Sequence, residues 1–193
     1  MTDRLARWIS LLFDSSVLSI PVFLAFGWIG GGASGMGWAA LTLVIVTGIP
    51  LAYLLMGRKF GWVGDMEMTR RSDRPRFILV SLGSDVSALL VLGAAHGPRL
   101  LIVIVLTYFC LAVAILTISA FWKVSLHMAG VGGFSTALLF VFGLPAVLAF
   151  LSLPLVAWAR LHRRKHTPAQ LAAGAMAGAL VTALVFVCSG MRL

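Results

Sequence analysis

Between Ser15 and Gly57 the chain runs for 43 residues without one charged side chain. A segment of that kind has few solutions in water. In a bilayer it has an obvious one, because about 20 apolar residues at 1.5 Å each cross the hydrocarbon core. The rest of the 193 residues repeats the pattern. Phe77 to Pro98 contains one acid, Asp85. Leu100 to Trp122 has no charge, and Val124 to Ala159 has only His127 as an ionisable group. Pro168 to Val187 is the last apolar run. Apolar residues make up 61 % of the chain and charged ones 11 %, with a mean hydropathy of +1.04. Soluble domains average about 45–50 % and about 25 %. A soluble enzyme, a disordered chain and a nucleic-acid module are excluded, despite the net charge of +9.

The breaks in these runs define the spans. Gly30 to Gly37 holds five glycines and divides the first run into helices of about 8–29 and 38–56, joined by a flexible turn. The 124–159 run is too long for one crossing. Gly143-Leu144-Pro145 is its natural interruption, since proline removes a backbone donor and glycine relaxes the turn. The expected fold is an all-α integral membrane bundle of six to seven spans, forming a single membrane domain over 1–193. No cleavable signal pattern is expected at the first run, which continues as a full span. Cys110 and Cys188 both lie in apolar runs, so no disulfide framework or thiolate zinc site is expected.

Charge then gives orientation. In a seven-span topology Arg4, Arg7, Arg58, Lys59, Arg70, Arg71, Arg74, Arg76, Lys123, Arg160, Arg163, Arg164 and Lys165 share one side, and only Arg99 and Arg192 fall on the other. Basic loops stay cytoplasmic. The N-terminal end and the basic loops are therefore expected in the cytoplasm, with the protein in the cell membrane. Most such cations serve as topology anchors that snorkel to headgroups. His96 and His162 are read as incidental.

Three segments on the basic side carry more specific chemistry. They are Glu67 to Pro75, Lys123 to His127, and Arg160 to Gln170. His127 and His166 each begin a span and each is preceded by a cation. Guanidinium groups such as Arg74 and Arg160 offer paired donors to phosphate oxygens. One imidazole can attack phosphorus while the other protonates the leaving oxygen. Thr167-Pro168 opens a helix, whose N-terminal amides also favour an anion. The six carboxylates are scattered, so no metal cage and no cofactor are expected.

This order of residues resembles the type-2 phosphatidic acid phosphatase superfamily, integral membrane lipid phosphatases that share a helical core with vanadium haloperoxidases. The family pattern is Lys-x6-Arg-Pro, Pro-Ser-Gly-His and Ser-Arg-x5-His-x3-Asp. Arg74-Pro75 matches the first motif, Ser125 and His127 the second, Arg160 and His166 the third, and the likeness covers about 67–178. The resemblance implies that His166 is the phosphate-accepting nucleophile and His127 the general acid. It implies that Arg74, Arg160 and Ser125 hold phosphate, with Lys123 as a further cation. The reaction would be metal-independent hydrolysis of an isoprenoid diphosphate or a phosphatidate-type lipid through a phosphohistidine.

Several positions depart from the pattern. Glu67 stands where the family has lysine. Val124 and Leu126 replace proline and glycine, and Ala159 replaces serine. Gln170 replaces the aspartate that orients the nucleophilic histidine. Gln170 can still accept from an imidazole N–H. Asp14 and Asp85, each expected about two turns inside a span, are alternative orienting carboxylates, because intramembrane acids suggest function. Two other functions stay open. One is a degenerate family member that binds anionic headgroups without turnover. The other is a small transporter or structural membrane protein, for which polar residues would line the midplane of several helices. Gly174-x3-Gly178 is expected to serve helix packing inside the chain.

Overall fold

The computed structural model describes residues 2–66 and 71–192, with the backbone alone at Arg71. Glu67 and Arg70 lie outside the described residues. The described chain is all-α: α1 (Thr2–Leu12), α2 (Ser15–Leu43), α3 (Ile49–Lys59), α4 (Arg74–Ala94), α5 (Arg99–Phe121), α6 (Leu126–Phe142), α7 (Ser152–His162) and α8 (Pro168–Cys188). A π-helical turn, Val44–Gly48, joins α2 to α3, and a 3-10 stretch, Leu144–Leu151, leads into α7. Five continuous helical segments are long and apolar enough to cross a membrane: Ser15–Lys59, Arg74–Ala94, Arg99–Phe121, Leu144–His162 and Pro168–Cys188. The shorter α6 is also apolar. This is a membrane protein.

The first segment is a folded hairpin. Gly32 leaves helical geometry at φ 55° and ψ −133°, a conformation that glycine adopts without a Cβ clash. The arms meet closely on either side. A Cβ at Gly27 would lie 2.5 Å from the Gly35 carbonyl oxygen and 2.6 Å from the Ala39 Cβ. Further along, the Ser19 and Thr47 hydroxyls are 2.9 Å apart. The Gly30–Gly37 run is thus helical except at Gly32, so the expected break between two helices is present but narrows to that one residue. With the hairpin counted as two crossings and α6 as one, seven apolar helical segments alternate along the chain.

The first span does not begin at residue 8. The helix of residues 2–12 ends at Phe13, and a new helix starts at Ser15. Asp14 causes the restart. Its carboxylate accepts from the Ser16 N–H at 3.0 Å, and its carbonyl accepts from the amides of Val17 and Leu18. Asp14 is therefore an N-cap and not a residue two turns inside a span. Asp85 is deeper than expected, halfway along α4 and buried.

The chain packs as two compact units, residues 1–18 with 122–193, and residues 19–121. In the second unit α4 packs on α5, on α3 and on the π turn. Widening a helix to a π turn displaces carbonyls from their usual donors, and the Ser84 hydroxyl donates to one of them, Ile45, at 2.6 Å. Phe23 and Tyr108 add a tilted aromatic contact, with centroids 5.6 Å apart.

In the first unit α6 and α8 make the dominant pairing. A Cβ at Gly174 would strike the Ser125 carbonyl oxygen at 2.5 Å, one at Gly178 would overlap the Ala129 carbonyl, and one at Gly133 would meet Thr182 Oγ1 at 3.0 Å. Residues 125, 129 and 133 thus sit opposite 174, 178 and 182, so the two helices run parallel. Small residues let the backbones approach, as in membrane helix pairs generally. The expectation that Gly174 and Gly178 serve internal packing agrees with this contact. The chain returns between the two helices through Gly143, at φ 71°, then the 3-10 stretch and α7. Ala6, Ile9, Leu18, Met128, Val131, Val156, Ala159 and Leu171 form the core of this unit.

Candidate functional site

Parallel α6 and α8 bring their starts to the same side of the first unit, where α7 ends. Two hydrogen bonds to backbone carbonyls tie these ends together. Ser125 N–H donates to the Gln170 carbonyl at 3.2 Å, and Lys123 Nζ donates to the Lys165 carbonyl at 3.0 Å. The second tie gives Lys123 a structural use in addition to its charge. Ser125 is fully buried and is the N-cap of α6, its Oγ accepting from Met128 N–H at 3.3 Å.

His127 is buried in the first turn of α6. Its Nε2 lies 3.1 Å from the Ser10 carbonyl oxygen and 3.5 Å from Asp14 Oδ2. A carbonyl oxygen only accepts, so Nε2 carries the proton in this contact. Residues 125, 129 and 133 face α8, and the 100° step of an α-helix puts His127 on the opposite side of α6. Gly130 on that side packs against Ser15. The structure therefore joins His127 to Asp14, the acid that caps α2, and to the last turn of α1.

Arg160 is 2 % exposed near the end of α7, one of the largest fully buried side chains. After it the helix ends in a Schellman turn. Lys165 N–H donates to the Arg160 carbonyl and Arg164 N–H to the Leu161 carbonyl, with Arg164 at φ 50°. His166 follows directly. It is half-buried, and its Nδ1 is shielded from solvent.

Gln170 has a different use from the one the phosphatase pattern suggests. Its Oε1 accepts from Thr167 N–H at 3.2 Å, while its own N–H donates to Thr167 Oγ1 at 3.4 Å. This reciprocal pair is a capping box that starts α8. The requirements of helix initiation account for a glutamine here. Arg74 and Asp85 belong to the second unit, where both are buried. Arg74 is 1 % exposed in the first turn of α4.

A further cluster was not legible in the sequence. His162 Nε2 lies 2.8 Å from Asp3 Oδ1, joining the end of α7 to the start of α1, and its ring stacks on Trp158. With Arg7, Arg163, Arg164 and Lys165 this pair lines an open groove of about 380 Å³. No local motif could have signalled a pair 159 residues apart.

No family model matches this chain, and neither a curated protein nor a solved structure does.

Proposed function

We propose that this protein is an integral membrane enzyme that hydrolyses a phosphate or diphosphate ester on a lipid, in the manner of the type-2 phosphatidic acid phosphatases that its motifs resemble. The observation that carries the reading is the gathering of Ser125, His127, Arg160 and His166 around the joined ends of α6, α7 and α8, with the first three buried. A buried arginine and histidine are costly in a membrane helix, and function is the usual reason to keep them.

The chemistry needs no cofactor. A ring nitrogen of His166 bonds to phosphorus as the bond to the leaving oxygen breaks. His127 gives that oxygen a proton. Water then attacks the phosphohistidine, the P–N bond breaks, and His127 recovers a proton from the water. Arg160 holds phosphate oxygens through paired N–H donors. Because Nε2 of His127 faces Ser10 and Asp14, proton exchange with substrate falls to its Nδ1 edge. The basic loops face the cytoplasm in this reading, and the substrate lies in the inner leaflet of the cell membrane. Isoprenoid diphosphates and phosphatidate-type lipids are the candidate substrates.

Two contacts favour a second reading, a protein that binds anionic headgroups without turnover. Gln170 Oε1 is engaged in the capping box, and His127 is turned to the side of α6 away from α8. The deciding experiment is phosphate release by purified protein in detergent with EDTA. The substrates are farnesyl diphosphate, undecaprenyl diphosphate, phosphatidate and phosphatidylglycerophosphate, with His166→Ala as control. Release that persists in EDTA and disappears in the variant is the expected result. Equal, background release from both proteins on all four substrates would leave the binding reading.

A further inference from the structure

The groove between α1 and the end of α7 is lined by none of the residues that define the motifs, its four members from 162–165 filling the stretch between Arg160 and His166, and hydrolysis gives it no task. Its lining contains four cations, Arg7, Arg163, Arg164 and Lys165, and one acid, Asp3, whose carboxylate is already held by His162 at 2.8 Å. The excess of positive charge fits an anion. The groove is wide open, so the anion can be part of a larger molecule.

The surroundings point to which molecule. Helix α1 turns Ala6 and Ile9 inward, onto a core that includes Val156 and Ala159 of α7. On its outward surface Leu5, Trp8, Leu11 and Leu12 are all more than half exposed, with the exposed Arg4 among them. The same eleven-residue helix carries Asp3 and Arg7 into the groove. An apolar face with tryptophan beside a cationic edge is the pattern of a helix lying in the membrane interface. Trp158, exposed on its outer side and stacked on His162, extends that apolar border along α7. Arg164 holds its side chain from a left-handed backbone position that asparagine or glycine usually fills. The bilayer surface presents hydrocarbon and anions together, which matches this pairing of an apolar face with a cationic groove.

We infer that this groove is a docking site for the phosphate headgroup of an anionic phospholipid, seated between α1 and the α7–α8 loop and separate from hydrolysis. The lipid phosphate sits among Arg7, Arg163, Arg164 and Lys165. Its acyl chains continue along the exposed apolar face of α1. The site anchors α1, and with it the Ser10 carbonyl and Asp14 that hold His127.

The test uses the full chain in a neutral detergent, mixed with phosphatidylglycerol and phosphatidylcholine, and counts retained lipids by native mass spectrometry. The comparison is the double variant Arg7→Gln with Arg164→Asn. Asparagine tolerates the left-handed position, so this protein keeps its turn, and circular dichroism checks its fold. Each neutralised cation near an anionic surface should lower retention about fivefold, so the pair should lower phosphatidylglycerol retention about 30-fold. Phosphatidylcholine retention should not change. Asp3→Asn, which removes the one negative charge, should raise phosphatidylglycerol retention. Equal retention of the two lipids by the parent protein would overturn the inference. So would a folded double variant that keeps phosphatidylglycerol as well as the parent does. Displacement of the lipid by millimolar inorganic phosphate would also overturn it, in favour of a site for a soluble anion. His166→Ala, which ends hydrolysis in the proposed mechanism, should leave retention unchanged, so failure of one reading is visible without the other.

Discussion

Both compact units spend hydroxyls on helical backbone, as Thr136 does on the Gly132 carbonyl in the first, but they gather their charged and titratable groups differently. In residues 19–121 hydroxyls are spread along the helices and spent on helical backbone. Thr42 donates to the Trp38 carbonyl, Thr107 to Val103, and Ser84 to Ile45 in the π turn. In residues 1–18 and 122–193 polar and charged groups crowd the helix ends, where Ser125, His127, Arg160, His166 and the Asp3–His162 pair all lie. Polar groups inside an apolar helix chiefly repair hydrogen bonding, whereas groups at the ends can face water and a headgroup. In the proposed function chemistry falls to the first unit, and the α2–α3 hairpin and π turn serve as scaffolding.

The strongest way to break that contrast is by activity. His166→Ala should reduce phosphate release by at least about 10³-fold, since removing a reacting imidazole forfeits nucleophilic catalysis. Ser84→Ala should leave release unchanged while lowering the thermal midpoint, because it costs about 1 kcal/mol by stranding the Ile45 carbonyl. Equal loss of release in both variants would erase the distinction between the units.

Packing offers the next test. Gly178→Ala drives a methyl into the Ala129 carbonyl, and Gly35→Ala drives one into the Gly27 carbonyl. Each should destabilise by about 1–3 kcal/mol, as overpacking does. If release is measured on the protein that remains folded, only Gly178→Ala should slow it. Caps come third. Ser125→Ala and Thr167→Ala should each cost about 1 kcal/mol in denaturant unfolding, the usual loss of an N-cap. The smallest effect belongs to Arg164→Gly. Relief of the left-handed strain, about 1–2 kcal/mol, is largely offset by the extra chain entropy of glycine, about 0.5–1 kcal/mol, leaving a small net rise in stability.

Much of the fold was legible because charge-free length is a strong signal. The spans, the break at Gly143 and the packing role of Gly174 and Gly178 follow from run lengths and from glycine and proline positions. The helix restart at Asp14 has a local signature that run length obscures. Asp14-Ser15-Ser16 is an N-cap signature, but counting apolar residues treats any acid inside a run as intramembrane. Gln170 went the same way. Thr167-x-x-Gln170 is a capping-box pattern, and alignment to a family aspartate hid it. Motif order marks Ser125, His127 and Arg160 as a set but carries no information about their burial. The side of α6 on which His127 lies depends on which neighbour packs against α6. The Asp3–His162 pair depends on α1 folding back onto α7. Neither has a local cause.

The parallel pairing of α6 with α8 has a consequence for biosynthesis. Ser125 meets Gly174, 49 residues later, and no nearer helix fills that glycine-lined contact. At about 5–20 residues per second the ribosome needs roughly 2–10 s to supply the partner. For that interval α6 is a short apolar helix with its tightest packing surface bare, held at the translocon or in lipid until the last helix arrives. The order in which the spans leave the ribosome therefore sets when this glycine-lined face of α6 is first covered.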